Sequence, residues 1–143
     1  MTNAERATVL VRALHAVLEG DVDTIRALCT DDVRVWTPAR AISSLVELSA
    51  ELDRREEAFS DIELDVRPLD VGGDQACAEW SAAMTHSGPL VLAGDEVVEA
   101  TGTRITLNGA TVAEFRGDRI CAARQYWDEL AVFEQVGLLV DDD

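Results

Sequence analysis

The feature that most constrains this chain is a change of hydrophobic period at Phe59. Ahead of it, Ala7, Leu10, Val11, Leu14, Val17 and Leu18 recur at helical spacing between Ala4 and Leu18. Gly20 ends that helix, and Asp21 is placed to cap a short second one through Ile25 and Leu28. Val33-Arg34-Val35-Trp36 alternates as a strand and stops at Pro38. A third helix presents Leu45, Leu48 and Leu52 on one face and opens with a capping box, Ser44 and Glu47. Beyond Phe59 the period is two. Ile62, Leu64 and Val66 alternate with charges, and Gly72-Gly73 turns the chain into a strand from Gln75 to His86. Gly88-Pro89 leads into a looser region from Val91 to Glu99. Strands are then expected from Thr103 to Leu107, through a turn at Asn108-Gly109 to Phe115, and from Ile120 to Trp127 after a turn at Gly117-Asp118. Asp128 to Val136 reads as a last helix, stopped by Gly137. Helices followed by antiparallel strands predict an α+β domain with helices over one face of a curved sheet. A bent sheet capped in this way leaves a cavity suited to an apolar ligand.

At 143 residues, 48% of them hydrophobic, the chain has material for one core. A single domain over residues 1–140 with an acidic tail at 141–143 is expected. Against 12 Lys and Arg stand 28 Asp and Glu, a formal charge of -16. That field repels phosphate backbones and anionic headgroups, so neither nucleic acid nor a membrane is an expected partner. No apolar run approaches the roughly 20 residues of a bilayer span, and no secretory leader opens the sequence, which suggests a cytoplasmic protein. Cys29, Cys77 and Cys121 are far apart with no CxxC pair, and His15 and His86 are the only histidines. No metal site is expected, and the thiols read as small buried hydrophobes. P-loop, GxGxxG and GxSxG sequences are absent, so no nucleotide cofactor is expected.

Three segments carry a resemblance. They are Glu19-Gly20-Asp21 with Cys29-Thr30-Asp31-Asp32-Val33; Ala78-Glu79-Trp80 running to Thr85-His86-Ser87-Gly88-Pro89; and Gly109-Ala110-Thr111-Val112, Asp118-Arg119-Ile120 and Arg124-Gln125-Tyr126-Trp127-Asp128 with Gln135-Val136-Gly137-Leu138. In order and spacing they resemble the SnoaL-like, polyketide cyclase-like group of the nuclear transport factor 2-like superfamily. The resemblance implies a cone-shaped α+β barrel: a curved, mostly antiparallel sheet with N-terminal helices packed over its concave face. It also implies a homodimer formed through the outer sheet face. The fold hosts many activities, so function rests on the residues present. The positions of the ketosteroid isomerase acid–base groups fall on Ala13, Thr37 and Thr111, which cannot do that chemistry. Those of the limonene epoxide hydrolase Arg-Asp-Asp set fall on Trp80, Ala82 and Gln125.

Alignment and strand alternation together predict a ligand-binding set of Val35, Thr37, Trp80, Ala82, Met84, Thr111, Gln125 and Trp127. This lining suits a flat, largely apolar molecule with one or two oxygens, and the resemblance implies one such as an aromatic polyketide. The bland alternative is a filled core. Asp128 and His86 are the candidate catalytic proton carriers. The resemblance implies a late aspartate as general acid/base, whereas its place before a helix also makes Asp128 a ready N-cap. His86 shares parity with Trp80, Ala82 and Met84, and its alternative is a solvent-exposed rim position. Trp36, out of phase, is expected under the third helix or at an interface. The acidic residues, Glu51 among them, read as helix exteriors, outer strand faces and caps, leaving the cavity almost without carboxylates. Two functions stay open: a SnoaL-like enzyme of cyclase, isomerase or hydrolase type, and a non-catalytic module binding a hydrophobic small molecule.

Overall fold

The structure, a computed structural model, describes residues 1–91 and 96–138, with the side chains of all of these except 54–56. The tail expected at 141–143 lies outside the described residues. Helix α1 (Asn3–Glu19) begins at Thr2, whose hydroxyl accepts from the Glu5 N–H, and ends at Gly20. Gly20 has φ 69°, a left-handed conformation that costs glycine little. Helix α2 (Val22–Leu28) is capped by the Asp21 carboxylate on the Thr24 N–H and leads directly into β1 (Cys29–Trp36). After the two-residue strand β2 (Ala41–Ile42), α3 (Leu45–Ala58) starts at Ser44. The Ser44 hydroxyl accepts from the Glu47 N–H, and the Glu47 carboxylate reaches back to the Ser43 N–H.

The period-two half folds as β3 (Phe59–Leu69), β4 (Gln75–His86), β7 (Arg104–Arg116) and β8 (Arg119–Trp127), with α4 (Glu129–Gln135) closing the described chain. A short hairpin of β5 (Leu90–Val91) and β6 (Val97–Val98) stands apart. The main sheet runs β2-β1-β8-β7-β4-β3, antiparallel throughout except for the parallel pair β1–β8. The sheet is mixed, curved and not closed. Register shifts at Cys29/Arg34, Ser60/Glu63 and Glu114/Phe115 mark bulges, which bend and twist a strand locally.

The expected turn at Asn108-Gly109 is absent. β7 runs unbroken through both residues, and Gly109 pairs with Trp80 on β4 and Trp127 on β8. The glycine is there for clearance. A Cβ at 109 would lie 2.7 Å from Cη2 of Trp80 and 2.5 Å from the Tyr126 carbonyl oxygen. The missing side chain lets the Trp80 indole lie across β7, a close approach that an isolated strand glycine often marks.

Helices α1, α2 and α3 cover one face of this sheet. Leu10, Ile25, Leu28, Val33, Leu52, Phe115 and Ile120 are buried together there. A smaller buried cluster, Ala82, Met84, Ile105 and Val136, is ringed by half-buried Leu18, Ile62, Leu64 and Trp80.

Candidate functional site

Around that smaller cluster the sheet is not filled. A cavity of about 330 Å³ opens between α1, α4, the β1–β2 loop and strands β3, β4, β7 and β8. Its walls are mostly apolar: Leu14, Val17 and Leu18 from α1, Phe59, Ile62 and Leu64 from β3, and Val132 and Phe133 from α4. Alternation puts Trp80, Ala82 and Met84 of β4 on the same face, and likewise Gln125 and Trp127 of β8. The Trp80 and Trp127 rings lie 6.4 Å apart at 59°. Each has its indole N–H engaged, Trp80 with Thr111 Oγ1 at 3.0 Å and Trp127 with Glu129 Oε2 at 2.7 Å. Fixed in this way, both rings offer apolar surface at low entropic cost.

The eight expected ligand-binding residues divide between two spaces. Trp80, Ala82, Met84, Gln125 and Trp127 line the large cavity. Val35, Thr37 and Thr111 line a second one of about 70 Å³ beneath the helices, which Gln125 also borders. Thr37 and Thr111 have their hydroxyls engaged, Thr37 in the β1–β2 turn and Thr111 with Trp80. Cys29 borders the small space too, and burial there pushes its thiol pKa up to about 11.

Gln125 differs from its neighbours. It is only 9% exposed, and its side-chain amide hydrogen-bonds to no other described residue. Buried amides are normally paired, so an open one facing an apolar cavity calls for a partner that enters it.

The two candidate proton carriers do not line the cavity. Asp128 is exposed and its Oδ1 accepts from the Ala131 N–H at 3.2 Å, so it caps α4. His86 is wholly buried, not a rim residue, because Phe59 packs on its ring at 5.9 Å. The Thr101 N–H donates to Nδ1 at 3.3 Å, which assigns the proton of a neutral ring to Nε2. Nε2 has no partner among the described residues.

Two carboxylates and a guanidinium that the sequence had placed elsewhere, or had not singled out, do reach the cavity. They are Glu51 of α3, Glu129 of α4 and Arg40 of the β1–β2 loop. Glu51 was expected on the exposed side of its helix. Its side chain is only 22% exposed and pairs with Arg40 at 2.8 Å. A signal was present, since Glu51 follows Leu48 by three positions and adjoins Leu52, at the edge of the buried stripe. Trp36 is not under α3 either. It is 46% exposed and lies against Tyr126, ring centroids 5.3 Å apart.

This geometry has counterparts among known proteins. The SnoaL-like domain family matches residues 10–123, most of the chain. The chain belongs to the SnoaL-like family. Among solved structures, TsrD from Streptomyces laurentii is 21% identical to this SnoaL-like chain with a TM-score of 0.81, over 97% of this chain and 99% of that one. The candidate SnoaL-like polyketide cyclase of a Jannaschia species is 17% identical, TM-score 0.82, over 96% and 95%. An LEH-like epoxide hydrolase of M. tuberculosis is 18% identical, TM-score 0.71, over 94% and 90%. At these identities the likeness is one of fold, the cone-shaped α+β fold of the nuclear transport factor 2-like superfamily. No curated protein sequence matches the chain significantly. Among the described residues no helix is long and apolar enough to cross a membrane, and no His, Cys, Asp and Glu group could hold a metal ion.

Proposed function

We propose that this SnoaL-like domain binds a flat, largely apolar small molecule carrying one or two oxygens, of the aromatic polyketide kind, in the cavity of about 330 Å³. The observation that carries this reading is the open Gln125 amide among apolar and indole walls. A filled core would not leave the amide of a largely buried glutamine open to empty space. The test is calorimetry with acetylnaphthalene. Saturable binding is expected in the natural chain, with a loss of ten-fold or more in Ala82→Phe, whose ring would occupy the cavity. No binding, or equal binding by Ala82→Phe, overturns the reading.

A second reading, acid–base catalysis of the cyclase, isomerase or hydrolase type, has its own supporting observation: the Glu51 and Glu129 carboxylates border the same cavity as Gln125. In that reading a cavity carboxylate moves the proton. Turnover that survives Asp128→Asn and His86→Gln and is lost in Glu129→Gln supports it. Loss in Asp128→Asn or His86→Gln with the fold intact would return the role to those residues. Bound ligand that stays unchanged through long incubation leaves the binding module.

A homodimer through the outer sheet face belongs to the same proposal, supported by the exposed Trp36–Tyr126 pair. Light scattering that finds only monomer at micromolar concentration contradicts it. Three free cysteines support a cytoplasmic setting, where thiols stay reduced.

A further inference from the structure

Among the described residues, one ion pair lies in the cavity wall, Arg40 with Glu51. Its exposure sets it apart from the surface pairs Arg116–Asp32 and Arg67–Glu79. Those side chains are half exposed or more, whereas Arg40 is 31% exposed and Glu51 22%. The loop that presents Arg40 is tightly built. Thr37 Oγ1 accepts from the N–H groups of Ala39 and Arg40 at 3.2 and 3.0 Å, and donates to the Arg40 carbonyl at 3.0 Å. The Thr37 N–H donates to the same carbonyl at 3.0 Å, and Pro38 fixes φ inside the turn. Glu51 comes from the second turn of α3, beside the buried Leu48 and Leu52. Both partners are therefore held in place before any ligand arrives.

Arg40, Glu51 and Gln125 each border both the large cavity and the small one behind it. They form the polar part of the partition between two otherwise apolar spaces. A guanidinium carries five N–H donors and a carboxylate about four acceptor positions. Nη1 of Arg40 and Oε2 of Glu51 spend one of each on the other, 2.8 Å apart. What remains is a donor group beside an acceptor group. A hydroxyl and a carbonyl on neighbouring carbons place their oxygens about 2.5–3.0 Å apart, the O–H···O range, which matches that spacing. An anionic ligand fits less well, since it would meet Arg40 together with two carboxylates, Glu51 and Glu129.

We propose that the Arg40–Glu51 pair is a recognition subsite for a ring compound with adjacent carbonyl and hydroxyl groups. Arg40 donates to the carbonyl, Glu51 accepts from the hydroxyl, and the rings lie against the apolar wall that includes Trp80 and Trp127. The inference rests on the cavity being the ligand site, and its test separates the two. Affinities of 2-hydroxy-1-tetralone, 1-tetralone and naphthalene are measured by calorimetry for the natural chain, Glu51→Gln and Arg40→Met. The natural chain is expected to prefer 2-hydroxy-1-tetralone over naphthalene by about ten-fold or more, the worth of one well-made buried hydrogen bond. Glu51→Gln and Arg40→Met each lose most of that preference, while their affinity for naphthalene stays within about two-fold and shows the cavity intact. A preference undiminished in both variants, with naphthalene still bound, overturns the subsite and leaves the cavity reading standing. Failure of the natural chain to bind any of the three overturns both.

Discussion

The chain builds two apolar clusters on one sheet and fills one far more completely than the other, leaving about 70 Å³ in the first and about 330 Å³ beside the second. Under α1, α2 and α3, Leu10, Ile25, Leu52 and Ala78 are at most 2% exposed, and the helices close over the strands except for the space of about 70 Å³. Further along the same strands, Ala82, Met84 and Ile105 are as well buried, yet their neighbours Leu18, Ile62, Leu64 and Trp80 are only half covered. β4 passes through both clusters with unbroken alternation, Ala76 and Ala78 in the first and Ala82 and Met84 in the second. The difference lies in what stands opposite. Against the first cluster there are helices, and against the second a gap whose wall includes a turn, an ion pair and α4. A site is formed where a sheet face continues past the helices that would fill it.

Truncation gives the sharpest way to break this contrast. Leu52→Ala should cost about 2–5 kcal/mol in denaturant unfolding, through lost burial and the cavity left behind. Leu18→Ala, at the wall of a space already empty, should cost less than about 2 kcal/mol. Equal costs would mean that the two clusters are packed alike.

Gly109→Ala tests whether the cavity wall depends on the close approach of Trp80. The new methyl group must displace the indole, so a loss of about 1–3 kcal/mol is expected. Shifted tryptophan fluorescence should accompany it as the Trp80–Thr111 bond breaks. An unchanged spectrum and stability would show that the wall yields freely.

Chemical reactivity separates the clusters next. Cys29 lies in the packed cluster, and burial holds its thiol near a pKa of about 11, so little thiolate exists at pH 8. Iodoacetamide should label Cys77 and Cys121, which are half-buried, well before Cys29. Early labelling of Cys29 would place the packed end in frequent opening.

The smallest expected effect is an acid-sensitive one at the surface. Arg116 hydrogen-bonds both carboxylate oxygens of Asp32 and holds its pKa below the ordinary 3.8. A lowered native pKa means that the contribution is present above the unfolded value and fades as pH falls through the native one. Melting temperatures of the natural chain and Asp32→Asn should differ slightly at pH 6 and converge below about pH 3, the lower side of a carboxyl's ordinary range. A difference that persists in acid would assign the effect to something other than this pair.

Much of the architecture was legible because it rests on local rules. Asp21, Ser44 and Asp128 accept the N–H bonds expected of caps, and Gly20 and Gly137 carry the left-handed φ of helix ends. The exception is instructive. Asn108-Gly109 has the composition of a hairpin turn, but Gly109 serves Trp80, which lies on another strand. Parity along β4 and β8 predicted the cavity-facing side of both strands, Trp80, Ala82, Met84, Gln125 and Trp127. It did not predict that Val35, Thr37 and Thr111 border a separate, smaller space. Nor did it show Glu51 and Arg40 meeting across 11 positions in the cavity wall.

The sequence by itself determined the order of helices and strands, the caps, the face each strand turns inward and the SnoaL-like family. These follow from period, capping chemistry and motif order, all properties of neighbouring residues. Only the tertiary structure decided where the inward face is filled and where it is left open, that His86 is sealed under Phe59, and that an ion pair enters the cavity. Filling depends on which elements stand opposite one another across the fold, and no local pattern encodes that distance.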